Sequence, residues 1–174
     1  MAQFAGDTAM GAIIAQGNNY NRALDMFDRE FAKMYLGRDS QGNGRPIRSG
    51  DDAFHYSRRY HGATLNRIAN DAANRATLLG QADFLSQFKE ISNLGDNEDQ
   101  THHFAAYFSL GINGGNWKEP IAKAMDTSGG EADQNLADAA YDLGKMLRDH
   151  PSRLRNIDTY IRNSICDDGI VGPR

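Results

Sequence analysis

Valine occurs once in this chain, at Val171, and threonine only six times, against 22 alanines. A pleated sheet covers its surface with branched side chains, whereas alanine is the best helix former and loses no rotamer freedom in a helix. A strand-based fold is therefore not expected. Cysteine is represented by Cys166 alone. That excludes an intrachain disulfide and a multi-cysteine metal site, and it fits a reducing, cytoplasmic compartment. No stretch reaches the roughly 18 consecutive apolar residues of a membrane span, and the mean hydropathy is negative. The opening MAQFAGDTAMGAIIA has no basic leader before an apolar run, so a cleavable signal peptide is not expected there, although export by another route stays open.

Several catalytic signatures are also missing. The chain contains no H-E-x-x-H pair, no G-x-x-x-x-G-K-[ST] phosphate loop and no G-x-S-x-G elbow. The run DSQGNG from Asp39 to Gly44 has the start of a calcium loop, but its twelfth position is Gly50 and not the bidentate glutamate that such a loop requires. Cys166 is followed by Asp167 and Asp168, whose negative charge disfavours a thiolate, so Cys–His catalysis is a poor reading.

What is present spells helices. At 174 residues the chain suits one compact all-α domain of about six or seven helices in irregular orthogonal or bundle packing. Residues 1–18 are read as either a mobile arm or a first helix, and 167–174 as a frayed tail. Tyr20, Leu24, Phe27, Phe31, Met34 and Tyr35 recur at three- and four-residue steps, which predicts a helix from about Asn19 to Leu36 with Asp25, Asp28, Arg29 and Lys33 on its outer face, closed by Gly37. Ser49 or Asp51 caps a long helix over 52–79, and a shorter one follows over 84–92. Asp96 or Asp99 starts a central helix that Gly111 stops. After a short helix opened by Pro120, Leu136, Ala139, Ala140, Leu143 and Leu147 form the inward stripe of a helix over 131–149. Gly144 beside that stripe implies close approach of a neighbouring helix. Pro151 opens a final helix that buries Leu154, Ile157, Ile161 and Ile165.

The net charge of -4 is uneven: residues 1–80 carry ten Lys/Arg and eight Asp/Glu, and residues 81–174 carry nine and fifteen. Such asymmetry can orient the molecule towards a protein partner, but it lacks the strongly basic balance of a nucleic-acid binder.

Chemistry concentrates in DNEDQTHHFAAYFSLG. At about 100° per residue, Phe104, Tyr107, Phe108 and Gly111 share one buried face. His102 points away from it, and His103 lies on its border with Asp99 one turn earlier. A carboxylate that orients an imidazole fixes its tautomer and supports its charged form, as in general acid–base sites and behind metal-ligating histidines. The plainer reading is that Asp99 caps the helix and His103 is a half-buried ring with one satisfied nitrogen. His61 occupies the apolar stripe of its helix and either completes an acid–base or metal site with His103 and Asp99 or bonds a backbone carbonyl in the core, with Asp158 as a candidate counter-charge. FHYSRRYH interleaves basic and aromatic residues, so Arg58 and Arg59 are the candidate phosphate contacts, or else a solvated, ion-paired face. Tyr107 is the third candidate substrate contact.

The grouping of Asp99, His103 and Phe104 ahead of the Leu136–Leu147 helix resembles helical domains of bacterial toxin-like proteins. The resemblance covers few residues and carries no role. Two functions are expected. One is a hydrolase built on His103, Asp99 and either His61 or His102, with or without a divalent metal at His103 and Asp99. The other is a non-catalytic interaction module or homo-oligomeric structural subunit.

Overall fold

The computed structural model describes residues 1–37, 41–48, 85, 87, 97–114 and 131–166. About 79% of them are helical and none belongs to a strand. The elements are α1 (Ala2–Ala15), α2 (Tyr20–Tyr35), α3 (Asn97–Asn113), α4 (Glu131–Asp149), a 3-10 helix (Pro151–Asn156) and α5 (Ile157–Ser164). The helices expected over 52–79, over 84–92 and from Pro120 lie outside the described residues, apart from Leu85 and Gln87, as does the tail from 167. No helix among the described residues is long and apolar enough to cross a membrane.

The N-terminal segment is helical from its second residue. Ala2, Ala5, Ala9 and Ala12 recur at three- and four-residue intervals and are all buried, so small side chains let α1 lie close against α2 and α5. Gly6 belongs to the same contact, because a Cβ there would stand 2.9 Å from Cβ of Asp158. Asp158, offered as a counter-charge, is thus partly covered by α1. Gly17 and Asn18, both at positive φ, turn the chain into α2. Asn19 caps that helix by accepting the backbone N–H of Arg22 at 3.3 Å. Replacing Asn19 with Ala is expected to lower stability by about 1 kcal/mol in chemical denaturation, the usual worth of a helix cap.

Rings fill the contact between α2 and α3. Phe31 lies 5.5 Å from Phe27, 5.3 Å from Phe108, 6.4 Å from Phe104 and 4.7 Å from Tyr35, centroid to centroid. Each buried ring removes enough apolar surface from water to contribute about 1.5–3 kcal/mol, and each tilted or edge-to-face pair adds about 0.5–1.5 kcal/mol.

Helices α3 and α4 form the most extensive contact of the described residues. At its centre Gly111 meets Gly144. A Cβ on Gly144 would collide with the carbonyl oxygen of Phe108 and stand 2.9 Å from the backbone nitrogen of Ile112, and one on Gly111 would strike the carbonyl oxygen of Tyr141. The close approach expected at Gly144 is observed. The expected stop at Gly111 is corrected: α3 runs on to Asn113, and this glycine is kept for the crossing instead of for a left-handed cap.

Helix α4 has the predicted bounds, with Leu136, Ala140, Leu143 and Leu147 buried. The last element differs in its first turns, where Pro151–Asn156 is a 3-10 helix before α5 begins, yet Leu154, Ile157, Ile161 and Ile165 are buried as expected.

Candidate functional site

Residue 103 occupies the edge of α3 that faces the first turn of α4. His103 is half-buried, and its Nε2 lies 3.1 Å from the carbonyl oxygen of Asp133. A carbonyl oxygen only accepts, so Nε2 carries the proton in this contact and Nδ1 is the nitrogen left with a lone pair. The ring rests on Tyr107, with centroids 4.8 Å apart and planes inclined at 45°. Tyr107 itself is almost wholly buried. As arranged, it is a floor beneath the imidazole more than a surface offered to a substrate.

Of the other residues singled out in the sequence, Asp99 lies in the first turn of α3, one turn before His103, and His102 is its neighbour. The side chains of Asp99 and His102 are outside the described residues, and so are His61, Arg58 and Arg59. The structure therefore brings His103 and Tyr107 together. Among the described residues no group of three His, Cys, Asp or Glu side chains is placed to hold a metal ion.

A second polar cluster is absent from the sequence reading. Asp28 was expected on the outer face of α2 but is 2% exposed, and this is a correction. Its position four residues after Leu24 and three before Phe31 sets it on the buried stripe, whereas Asp25, Arg29 and Lys33 face outward as expected. Helical spacing could have placed it there; the assumption that a charged residue faces solvent removed it.

The Asp28 carboxyl meets α3. Asn113 donates from Nδ2 to Oδ2 at 2.5 Å and also to the carbonyl oxygen of Ser109 at 3.0 Å. Oδ1 has no hydrogen-bond partner. The Ser109 hydroxyl adjoins the carboxyl and favours its charged form, and its oxygen accepts the backbone N–H of Ile47 at 2.9 Å. Burial pushes the Asp28 carboxyl up to about 7, with Asn113, Ser109 and the Arg48 guanidinium pulling the other way and Asp25 adding to the rise.

Two further buried groups bear on the chemistry. Cys166 is buried near the end of the described chain, which makes it a packing residue and not an accessible nucleophile. The Tyr35 phenol is pushed well above its ordinary value, first by burial and then by proximity to Cys166.

Comparison with known proteins adds no relative to this geometry: no protein family, no curated protein and no solved structure matches the chain.

Proposed function

We propose that the chain is a small helical acid–base enzyme of hydrolase type, with His103 as its base or metal ligand through Nδ1. The observation that supports this reading is the hydrogen bond from His103 Nε2 to the Asp133 carbonyl, made by a ring that is only half-buried. An imidazole anchored through one N–H has a defined tautomer and a defined direction for its other nitrogen, which a proton-transfer or metal-binding histidine needs. The orienting part expected of Asp99 then falls to the main chain of α4. Asp99, one turn earlier in α3, supplies the counter-charge for the imidazolium or a second ligand to a divalent metal, and His61 or His102 serves as the second participant. Arg58 and Arg59 are the substrate-binding groups of this reading if the substrate carries phosphate.

The test is a metal determination on the purified protein, followed by assay on activated carboxylate esters, phosphomonoesters and phosphodiesters. The His103→Gln variant is expected to lose at least about 100-fold in kcat/KM, the usual worth of a positioned acid–base group, with an unchanged circular dichroism spectrum. Full activity in that variant, or neither bound metal nor turnover in the parent protein, sinks the enzyme.

A second reading has its own observation. On α1, Met10 and Ile14 are 49% and 72% exposed, the two large exposed hydrophobic residues among those described, and they lie one turn apart on the face turned away from α2 and α5. That suits a helical interaction module or a homo-oligomeric subunit. Sedimentation that finds a monomer at every concentration, unchanged by Ile14→Glu, counts against the homo-oligomer.

A further inference from the structure

Asparagine is followed by glycine twice in the chain, at Asn43–Gly44 and at Asn113–Gly114. Such a pair is prone to lose the asparagine amide, because a glycine places no side chain in the way when its backbone nitrogen attacks the preceding Cγ. The structure gives the two pairs opposite surroundings. Asn43 is exposed and belongs to no helix, and its Nδ2 meets Gln41 Oε1 at 3.5 Å, also at the surface. Asn113 is the last residue of α3 and is half-buried. Its Nδ2 donates to Asp28 Oδ2 at 2.5 Å and to the carbonyl oxygen of Ser109 at 3.0 Å. The nitrogen that would attack it is engaged as well, since the buried Gly114 donates its backbone N–H to Leu110 at 2.5 Å.

We propose that Asn43 is a site of spontaneous, backbone-assisted deamidation, and that the fold shields Asn113 from the same reaction. This modification is separate from the chemistry proposed at His103. The Gly44 backbone nitrogen gives its proton to hydroxide and bonds to Asn43 Cγ; the bond from Cγ to Nδ2 breaks, and ammonia leaves. Water then opens the five-membered imide at either carbonyl, which yields aspartate or the β-linked isoaspartate. Nothing is oxidised or reduced, and the exposure of Asn43 supplies the water. Either product adds one negative charge to the chain, whose net charge goes from -4 to -5.

Packing explains why the labile pair stands at this place. A Cβ on residue 44 would collide with the carbonyl oxygen of Arg29 and stand 2.6 Å from the Lys33 backbone nitrogen, so α2 demands a glycine there. The close approach thus keeps an unhindered nitrogen next to an exposed amide. At Asn113 the reaction requires the amide to leave both acceptors and the last turn of α3 to open. Its product would also set a second carboxyl against Asp28 in a buried seam, where like charges oppose ionisation.

The experiment is ageing of the full chain in mildly alkaline buffer, once folded and once unfolded in concentrated urea. Peptide mass mapping follows each Asn–Gly pair, and labelling by an isoaspartyl carboxyl methyltransferase is the second readout. In the folded chain Asn43 is expected to convert at least about 30-fold faster than Asn113, the factor that breaking hydrogen bonds of ordinary net worth imposes. In urea the two rates should become comparable. Asn43→Gln should remove most of the methyl label and of the acidic form that accumulates in the folded protein. Gly44→Ala is not a usable control, because its methyl would meet α2. The assignment is overturned by an Asn43 that stays intact in the folded chain for as long as urea takes to convert it. Equal rates at Asn43 and Asn113 in the folded chain, or an acidic form undiminished in Asn43→Gln, overturn it too.

Discussion

Gly144→Ala is expected to destabilise the protein by about 3 kcal/mol, the upper end of the usual cost of overpacking, and to lower Tm by about 6–12 °C for a chain of this size. The size of the effect comes from what the added methyl would meet. It would collide with the Phe108 carbonyl oxygen and lie 2.9 Å from the Ile112 backbone nitrogen. These are backbone atoms of α3, so no rotamer change can make room, and the two helices must separate along their contact. Gly111→Ala is expected to behave similarly, because its methyl would strike the Tyr141 carbonyl and lie 3.0 Å from the Lys145 nitrogen. The two sites share one crossing, so the double variant should cost less than the sum of the singles. Gly11→Ala provides the opposite sign. Position 11 is exposed on α1 with nothing within 4 Å of its virtual Cβ, and alanine there should raise stability by about 0.5–1 kcal/mol through helix propensity alone. Thermal melts of the four variants would check the whole set, and a Gly144→Ala protein as stable as the parent would contradict the crossing.

Asp28→Asn is expected to stabilise the protein at pH 8 and to change little at pH 4. Below the free carboxyl's 3.8 the folded and unfolded chains both hold the Asp28 proton, and ionisation contributes no difference. As the pH rises from there towards 7, the unfolded chain releases that proton while the folded chain retains it, so folding stability falls. Above about 7 the full deficit persists. The displacement corresponds to at most about 4 kcal/mol. Asparagine has the shape of the neutral acid and can still accept from Asn113, so a gain of about 2–3 kcal/mol at pH 8 is expected from urea unfolding. Asp25→Asn, at an exposed position on the same helix, should stay within about 0.5 kcal/mol of the parent at both pH values. An Asp28→Asn protein less stable than the parent at pH 8 would mean that the carboxylate is solvated or paired in the folded state.

Much of the helix layout was legible because helical spacing is a local property. The stripe from Leu24 to Tyr35, the bounds of α4 and the buried residues from Leu154 to Ile165 all follow from apolar side chains returning every three or four residues. The errors fall where a residue type has two uses. Gly111 read as a stop because glycine ends many helices, yet glycine also permits two helix backbones to touch, and that choice depends on the partner helix. Asp28 read as solvent-facing because carboxylates are rarely buried, although its spacing from Leu24 and Phe31 set it inside. Of the candidate site, the border position of His103 and its nearness to Tyr107 were readable from α3 alone. Its partner, the Asp133 carbonyl 30 residues away, was not.

The sequence by itself determined the helical class of the described residues, because its alanine content and period of about 3.6 residues favour helices over a sheet, and it placed an imidazole at the edge of a helix. Only tertiary structure decided which backbone carbonyl holds that imidazole, which glycines let α3 and α4 meet, and that Asp28 lies in the α2–α3 seam beneath residues 41–48. The physical reason is range. Helix propensity and amphipathic spacing act within a turn or two of chain, whereas burial of a polar group is set by distant segments that reach it only after the helices have packed.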